Sequence, residues 1–256
     1  MFVVAHLSDT HFGNDQQDPT DRLAAVMDHV LALDPRPDVL VVSGDVADHG
    51  RPEEYVGARA WLDRWPGPLA VCPGNHDVRA AFVDGLGRPA RSVVETGGFR
   101  FLMLDSLIDA VDGERVDEGR LGEEQMEWLH RELAASGTPA FVVLHHPPVT
   151  IGVSLMDPIR LLDGDALGTV LAAHPHVLAT LVGHAHTMCS TTYAGRPLLI
   201  GGGVVSTVPL DAEPFPVVWY AAPPTLALHL VDDAESPPRV TTHWRALPLV
   251  GLDGAQ

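Results

Sequence analysis

The sequence predicts an α/β domain whose strands are covered on both faces. Up to about residue 186, short and almost continuously apolar runs alternate with segments of helical periodicity, which is typical of strands lying beneath helices. At 256 residues and 46% hydrophobic composition, the chain is long enough for one large core. Beyond residue 186, the apolar runs are separated by Gly and Pro and carry few helix signals. We therefore expect one domain over residues 1–256, with residues 187–256 as an antiparallel-rich C-terminal portion.

The predicted elements alternate along the chain. Residues 3–8 are apolar and predict the first strand, and residues 20–33 carry apolar side chains at helical spacing. The other apolar runs predict strands over 39–44, 69–72, 99–105, 140–146 and 177–183, and the segments between them predict helices over 53–64, 122–135 and 164–173. In the C-terminal portion, strands are expected in TTYAGRPLLIGGG (191–203), VVWY (217–220) and TLALHLV (225–231).

Charge and composition exclude several classes of protein. The formal net charge is −18 and all 16 basic residues are Arg, which argues against long nucleic acid as a partner because phosphate backbones require a basic surface. No apolar run is long enough for a membrane span, and the N-terminus lacks the basic segment of a signal peptide. Cys72 and Cys189 are the only cysteines and are far apart in sequence, so we expect a cytoplasmic protein without disulfides or thiolate zinc sites.

Polar residues collect where five of the predicted strands end. These strands are followed by the motifs Asp9-Thr10-His11, Gly44-Asp45-Val46-Ala47-Asp48, Gly74-Asn75-His76-Asp77, His145-His146-Pro147-Pro148 and Gly183-His184-Ala185-His186. In open α/β sheets, ligands bind outside the carboxyl ends of the strands. Each motif alone is a weak signal, since D-x-H after a strand is more often a turn than a ligand pair, and the others could be a tight turn or a strand terminator. The turn interpretation must, however, hold independently five times.

The side chains in these motifs indicate a metal centre. Carboxylate, amide and imidazole groups suit Zn, Mn, Fe or Co, and the set is too rich in nitrogen for a Mg or Ca site. Seven of these side chains, which are named below, are candidate ligands. Seven ligands exceed what one ion needs and suffice for two ions that share a carboxylate.

In this order and spacing, the motifs D-x-H, G-D-x-x-D, G-N-H-D, H-H-P-P and G-H-x-H resemble those of the calcineurin-like metallophosphoesterase superfamily. The stretches SDTHF, VSGDVADHGRPEEY, PGNHD and HHPP, followed by MDPI (156–159), are most similar to its class III cyclic nucleotide phosphodiesterase and bacterial glycerophosphodiesterase branch. The resemblance implies a four-layer αββα sandwich of two mixed sheets flanked by helices, with a dinuclear metal site between the sheets.

The resemblance also implies a role for each motif residue. Asp9, His11 and His186 would bind one metal, Asn75, His145 and His184 the other, and Asp45 would bridge both. His76 would be the catalytic histidine, beside the metals and outside the ligand set.

Other residues of the motifs carry weaker expectations. His146, His49, Asp48 and Asp77 are expected to support the ligands or touch substrate, although a turn or solvated position is equally compatible with His49. Arg51, Arg79 and Arg160 could each meet a phosphate or simply lie on the surface. His6 and Cys72 are interpreted as core residues.

The resemblance implies that the protein hydrolyses small phosphodiesters, 3′,5′-cyclic nucleotides such as cAMP being the first choice, by attack of a hydroxide that bridges the metals. A glycerophosphodiester phosphodiesterase, a broad-specificity phosphatase and a nuclease remain alternatives within the same chemistry. A non-catalytic metal-binding scaffold is the alternative from another class. The expected cofactors are two transition-metal ions drawn from Fe, Mn, Zn or Co, and the expected assembly is a homodimer or higher homo-oligomer.

Overall fold

A computed structural model describes residues 1–248, in which eleven strands form two sheets. The strands are β1 (Phe2–Leu7), β2 (Val39–Ser43), β3 (Leu69–Cys72), β4 (Ser92–Thr96), β5 (Phe99–Met103), β6 (Ala140–Val143), β7 (Val177–Val182), β8 (Cys189–Tyr193), β9 (Arg196–Ile200), β10 (Thr225–Asp232) and β11 (Arg239–Ala246). The α-helices are α1 (Thr20–Ala32), α2 (Pro52–Leu62), α3 (Arg79–Leu86), α4 (Gly122–Ala135) and α5 (Gly164–Ala172), and a short 3₁₀ helix spans Asp157–Ile159.

Both sheets are mixed. The first sheet has the order β11-β10-β1-β2-β3, in which β1, β2 and β3 are parallel and β10 runs antiparallel to β1. The second sheet has the order β4-β5-β6-β7-β9-β8, with β5, β6, β7 and β9 parallel. The parallel strands of both sheets end at a common edge, and the predicted motifs follow those ends.

Alternation of side chains along the strands divides the core into three parts. Ala5 and Leu7 of β1 face outward and pack with the apolar faces of α1, α2 and α3. Phe2 and Val4 face inward and meet the second sheet in a core that contains Phe101. On the far side, α4 and α5 cover the second sheet. The four-layer αββα sandwich is therefore confirmed.

A chain of hydrogen-bonded polar side chains runs across the inner face of the first sheet, in the space between the two sheets. Thr242 Oγ1 contacts His229 Nδ1 at 2.9 Å, His229 Nε2 contacts His6 Nδ1 at 3.2 Å, and His6 Nε2 contacts Ser43 Oγ at 2.8 Å. Burial lowers the pKa of His6 to about 3 and also lowers that of His229. The prediction that His6 is a hydrogen-bonded core residue is confirmed, and Cys72 is likewise buried.

Several predictions made from the sequence need correction or stay open. VVWY (217–220) is not a strand, because Trp219 makes only an isolated bridge with Thr207. Helix α3 and strands β4 and β11 were not predicted. In the C-terminal portion, β8 pairs antiparallel with β9, and β10 with β11. The single domain over 1–256 stays a prediction, and residues 249–256 of it lie outside the described residues. Within residues 1–248, no helix combines the length and apolar character needed to cross a membrane.

Candidate metal centre

The structure brings all seven predicted ligands together at the edge where the parallel strands end. Side chains from the first sheet follow β1, β2 and β3, and side chains from the second sheet follow β6 and β7. All seven are nearly or fully buried except His186, which is partly exposed. The centre therefore lies between the carboxyl ends of the two sheets, as expected for ligand sites in α/β folds.

The backbone at these positions is strained. Seven non-glycine residues among 1–248 have positive φ, and five of them are predicted ligands with φ between 42° and 66°, namely Asp9, His11, Asp45, His184 and His186. Such conformations cost roughly 1–3 kcal/mol each and concentrate at functional sites. Gly74 is needed for a different reason, because a Cβ there would collide with Asp45.

The first group of side chains comprises Asp9, His11, His186 and one oxygen of Asp45. The Nε2 atoms of His11 and His186 are 3.2 Å apart, and His186 Nε2 is 3.3 Å from Asp9 Oδ1. His11 Nε2 is 3.6 Å from Asp45 Oδ2. These inward-facing atoms of the four residues surround one small space.

The second group comprises Asn75, His145, His184 and the other oxygen of Asp45. Asn75 Oδ1 is 3.1 Å from His145 Nε2 and 2.9 Å from His184 Nδ1. His145 Nε2 is 3.3 Å from Asp45 Oδ1. The two carboxylate oxygens of Asp45 thus face different groups, and Asp45 is the only residue common to both.

The outward-facing ring atoms show where the imidazole protons lie. His145 Nδ1 donates to the Ser43 carbonyl at 2.7 Å, and His11 Nδ1 lies 2.9 Å from Asp48 Oδ1. When these rings are neutral, the opposite nitrogens present lone pairs to the space between the carboxylates, as in carboxylate–histidine–metal arrangements. Both oxygens of buried Asp9 lack a hydrogen-bond partner among the described residues. A space lined by such electron-rich atoms fits cations, so the residues present suit a metal centre.

Protonation compensates part of this negative charge in the protein alone. Burial lowers the pKa of His145, but the adjacent Asp45 carboxylate outweighs burial and raises that pKa to about 9. Burial also favours protonation of Asp45, yet His145 and the neighbouring histidines hold its pKa well below the usual range. Binding of metals must therefore displace protons from these rings.

His76 lies beside the two groups and uses its ring differently. Its Nδ1 donates to the Asp48 carbonyl at 2.7 Å, and its Nε2 faces Asp45 Oδ2 at 4.0 Å. The ring packs edge-on against His11 with 4.6 Å between centroids. Burial lowers the pKa of His76 and, with the nearby His11 and Arg115, outweighs the opposing effect of the Asp45 carboxylate. His76 lines the cavity beside the centre, which suits contact with a substrate.

Asp48 and Asp77, the two carboxylates expected to support the ligands, orient other groups of the site. Asp48 fixes the His11 ring and accepts from Asn14, and these contacts outweigh burial to hold the pKa of Asp48 at about 2. Asp77 accepts backbone N–H groups of Val46, Ala47 and Gly74, so it braces the loop that carries Asp45. Burial and then the Asp45 carboxylate raise the pKa of Asp77 to about 6.

Of the two remaining histidines, His146 adjoins the second ligand group, because its ring packs against that of His184 with 4.5 Å between centroids. His146 Nε2 donates to the Asp117 carbonyl at 3.1 Å, and its Nδ1 accepts from Ser106 at 2.8 Å. Both ring nitrogens of His146 are thus engaged in hydrogen bonds. His49 turns toward Glu54 at 3.0 Å and lines a second cavity next to the site.

A cavity of about 170 Å³ opens directly above the centre. One wall is apolar and is formed by Leu155, Met156, Ile159, Val205, Val208, Val218 and Tyr220. Buried Arg22 of α1 holds part of this wall by donating to the carbonyls of Val204, Ala222 and Tyr220. The sequence analysis did not single out Arg22 or the wall, because their positions depend on contacts between residues about 180 to 200 apart in the chain.

The three arginines that could have met a phosphate, Arg51, Arg79 and Arg160, do not line the cavity above the centre. Arg79 pairs with Asp105 at 2.5 Å, and Arg160 donates to the Asp157 carbonyl at 2.7 Å. The cavity is lined instead by Arg115, which the sequence analysis did not consider.

Comparisons with known proteins decide the family. The calcineurin-like phosphoesterase family matches residues 2–188, a span that contains all five motifs. The chain belongs to the calcineurin-like phosphoesterase family. Family members use dinuclear metal sites, consistent with the two ligand groups that meet at Asp45.

Two relatives and one solved structure place this calcineurin-like chain more closely. It is 32% identical to the glycerophosphodiester phosphodiesterase GpdQ of Enterobacter lignolyticus, over 89% of this chain and 86% of the relative. It is 34% identical to a Synechococcus protein named "probable cyclic nucleotide phosphodiesterase", over 84% and 85%. A dimetal phosphatase from Danio rerio has the same fold, with a TM-score of 0.66 at 16% identity over 96% of this chain and 99% of that one.

Proposed function

We propose that this chain is a two-metal phosphodiesterase for small phosphodiesters, with 3′,5′-cyclic nucleotides such as cAMP as the first candidate substrates. The observation that carries the proposal is the position of Asp45, whose two oxygens face two separate sets of lone-pair donors. In this proposal Asp9, His11 and His186 hold one ion, Asn75, His145 and His184 hold the other, and Asp45 bridges them. When bound, two such ions supply an activated water and neutralise charge on the phosphoryl oxygens.

The protein's own groups orient the reaction. Ser43 and Asp48 fix the His145 and His11 rings, so their inward nitrogens stay in place during turnover. Asn75 is a neutral ligand and adds no negative charge that would weaken the ions as Lewis acids. His76, in contact with the cavity, stabilises charge on the phosphoryl oxygens or protonates the departing alkoxide.

The cavity supports a diester that carries an apolar or flat group. The wall containing Leu155, Val218 and Tyr220 can bury a nucleobase, and a phosphoryl group would lie over the metal centre. The relative from Synechococcus, by its name, supports cyclic nucleotides as substrates. Glycerophosphodiesters are the second candidate, because the relative from Enterobacter is named for that activity at comparable identity.

A substrate panel tests the proposal. The Mn-loaded protein is assayed on 3′,5′-cAMP, 2′,3′-cAMP, glycerophosphocholine, bis(p-nitrophenyl) phosphate and p-nitrophenyl phosphate. We expect turnover of the diesters to exceed that of the monoester. Preference for the monoester would instead identify a phosphatase. Absence of turnover with two metals bound would favour the non-catalytic scaffold.

Three further properties form part of the proposal. The native ions are drawn from Fe, Mn, Zn and Co, since the N and O ligands do not distinguish them, and elemental analysis of protein purified without added metal decides among these. The protein acts in the cytoplasm, which is supported by two free cysteines, Cys72 and Cys189. It forms a homodimer or higher homo-oligomer and has neither long nucleic acid nor a membrane as a partner.

A further inference from the structure

Arg115 brings a positive charge to a site that contains several carboxylates. Arg115 lines both the cavity above the centre and a neighbouring cavity of about 330 Å³. Asp48, Asn75 and His76 also line both cavities. Among residues 1–248, no other Arg lines either cavity, and the chain contains no Lys. The acidic residues lining the two cavities are Asp45, Asp48, Asp77, Asp109 and Asp117.

A tight turn and a carboxylate hold Arg115 in place. Val111 and Glu114 exchange two backbone hydrogen bonds of 3.0 and 2.9 Å around Asp112 and Gly113, both of which have positive φ, as in a type I′ turn. Arg115 follows this turn, and its Nε donates to Asp117 Oδ1 at 2.5 Å. The guanidinium is therefore directed toward the junction of the two cavities.

The same Asp117 also contacts a predicted metal ligand. Asn75 Nδ2 donates to Asp117 Oδ1 at 3.2 Å, which turns the Asn75 oxygen toward His145 and His184. Asp117 is fixed in turn because His146 Nε2 donates to its backbone carbonyl. One carboxylate thus sets the orientation of both Arg115 and Asn75.

The guanidinium of Arg115 keeps donors for a ligand. Its Nη1 is 3.0 Å from His76 Nδ1, but that nitrogen already donates its proton to the Asp48 carbonyl and cannot accept another. Guanidinium groups bind phosphoryl oxygens through two N–H groups at once. A phosphodiester anion approaching the carboxylates on its own would meet repulsion that a nearby cation offsets.

We infer that Arg115 binds a phosphoryl oxygen of the substrate and that Asp117 is the positioning residue that directs it. The inference rests on the proposed function, since it names the group that receives the phosphodiester at the same site. It assigns anion recognition to the loop between β5 and α4, outside the five motifs.

Phosphate binding provides a test that does not depend on turnover. Binding of inorganic phosphate to the metal-loaded protein is measured by calorimetry for wild type, Arg115→Gln, Arg115→Lys and the control Arg120→Gln. Arg120 is exposed, lies in the same loop and lines neither cavity. Metal content and thermal unfolding are measured on each sample, and kcat and KM are measured on bis(p-nitrophenyl) phosphate.

We expect Arg115→Gln to keep both metals and to weaken phosphate binding at least about ten-fold, with a higher KM. Arg115→Lys should recover part of the affinity, because it restores charge without the planar fork. Arg120→Gln should match wild type. Phosphate binding within two-fold of wild type in Arg115→Gln would overturn the inference, as would loss of a metal. If wild type binds phosphate through Arg115 yet hydrolyses no diester, the proposed function fails while the inference stands.

Discussion

The ring Nδ1 of His76 donates to the Asp48 carbonyl, which leaves Nε2 facing the cavity side of Asp45. We predict that His76→Ala keeps both metals and loses at least about 100-fold in turnover on an alkyl diester, where the leaving alkoxide needs a proton. The loss on bis(p-nitrophenyl) phosphate should be clearly smaller, because p-nitrophenolate leaves without one. Steady-state kinetics and metal analysis measure both effects.

Equal losses on the two substrates would exclude general acid catalysis and leave charge stabilisation as the role of His76. Loss of a metal from the variant would place His76 among the ligands instead.

Asp45 is the residue on which both ligand groups depend. We predict that Asp45→Ala loses both metals and nearly all activity, since each group then lacks the Asp45 oxygen that faces it. Asp9→Ala is the matched comparison: Asp9 Oδ1 is 3.3 Å from His186 of the first group and 4.0 Å from His145 of the second, so its removal should weaken one metal more than the other. Elemental analysis after dialysis gives the stoichiometry. Two tightly bound metals in Asp45→Ala would contradict a bridging role.

At the scale of elements, strands β11, β10, β1 and β2 are linked by the buried chain Thr242–His229–His6–Ser43. Because the pKa of His6 falls from about 6.5 in the unfolded chain to about 3 in the folded protein, the unfolded state binds more protons between these values. The contribution of His6 to stability is therefore complete above pH 6.5 and is lost as the pH falls, by up to about 1.4 kcal/mol per pH unit.

We predict that His6→Gln removes this part of the pH dependence. Urea unfolding of wild type and variant is compared at pH 7, 6 and 5, and the difference in unfolding free energy should shrink by about 1 kcal/mol from pH 6 to 5. The comparison cancels other groups that titrate in both proteins. Parallel pH profiles would show that the pKa of His6 is the same in the folded and unfolded states.

Elements with long apolar runs could be predicted from the sequence, and those defined by distant pairing could not. Strand β3 and helix α4 have the predicted limits, because composition and periodicity determine them locally. The segment over 217–220 is apolar enough for a strand, but Trp219 finds only Thr207 as a bridge partner. The division into two sheets came from the resemblance, since it depends on β10 pairing with β1 from over 200 residues away.

The residues of the candidate site also divide into those that could be predicted from the sequence and those that could not. Its predicted ligands directly follow apolar strands, so their convergence can be predicted from the order of elements. Arg115 lies in a loop of irregular structure, and its contact with Asp117 directs it to the cavity. The Asp112-Gly113 turn is recognisable from the sequence, but the place where the turn leads is not.

At the scale of the whole molecule, an exposed apolar patch bears on assembly. It comprises Leu155, Leu210, Phe215 and Val217, with Phe215 stacked on Trp219 at 4.1 Å between centroids. We predict that the protein self-associates through this patch, and that Phe215→Asp shifts it toward the monomer at micromolar concentration. Val56→Asp, an equally apolar exposed position on α2, is the control. A monomeric wild-type mass by light scattering would end this prediction.

The ligand groups also have a mechanical consequence. Asp9, Asp45 and Asn75 follow strands of the first sheet, whereas His145 and His184 follow strands of the second. Ions bound at these residues would link the two sheets, in addition to the apolar core and hydrogen bonds such as that from His145 to the Ser43 carbonyl. If a chelator removes the ions, we expect the two sheets to separate first at this edge. We expect faster amide hydrogen exchange at the ends of β2, β6 and β7 and a lower midpoint of thermal unfolding, with the centres of the strands still protected. A uniform change in amide hydrogen exchange throughout both sheets would mean instead that the ions stabilise the whole domain and not this one edge.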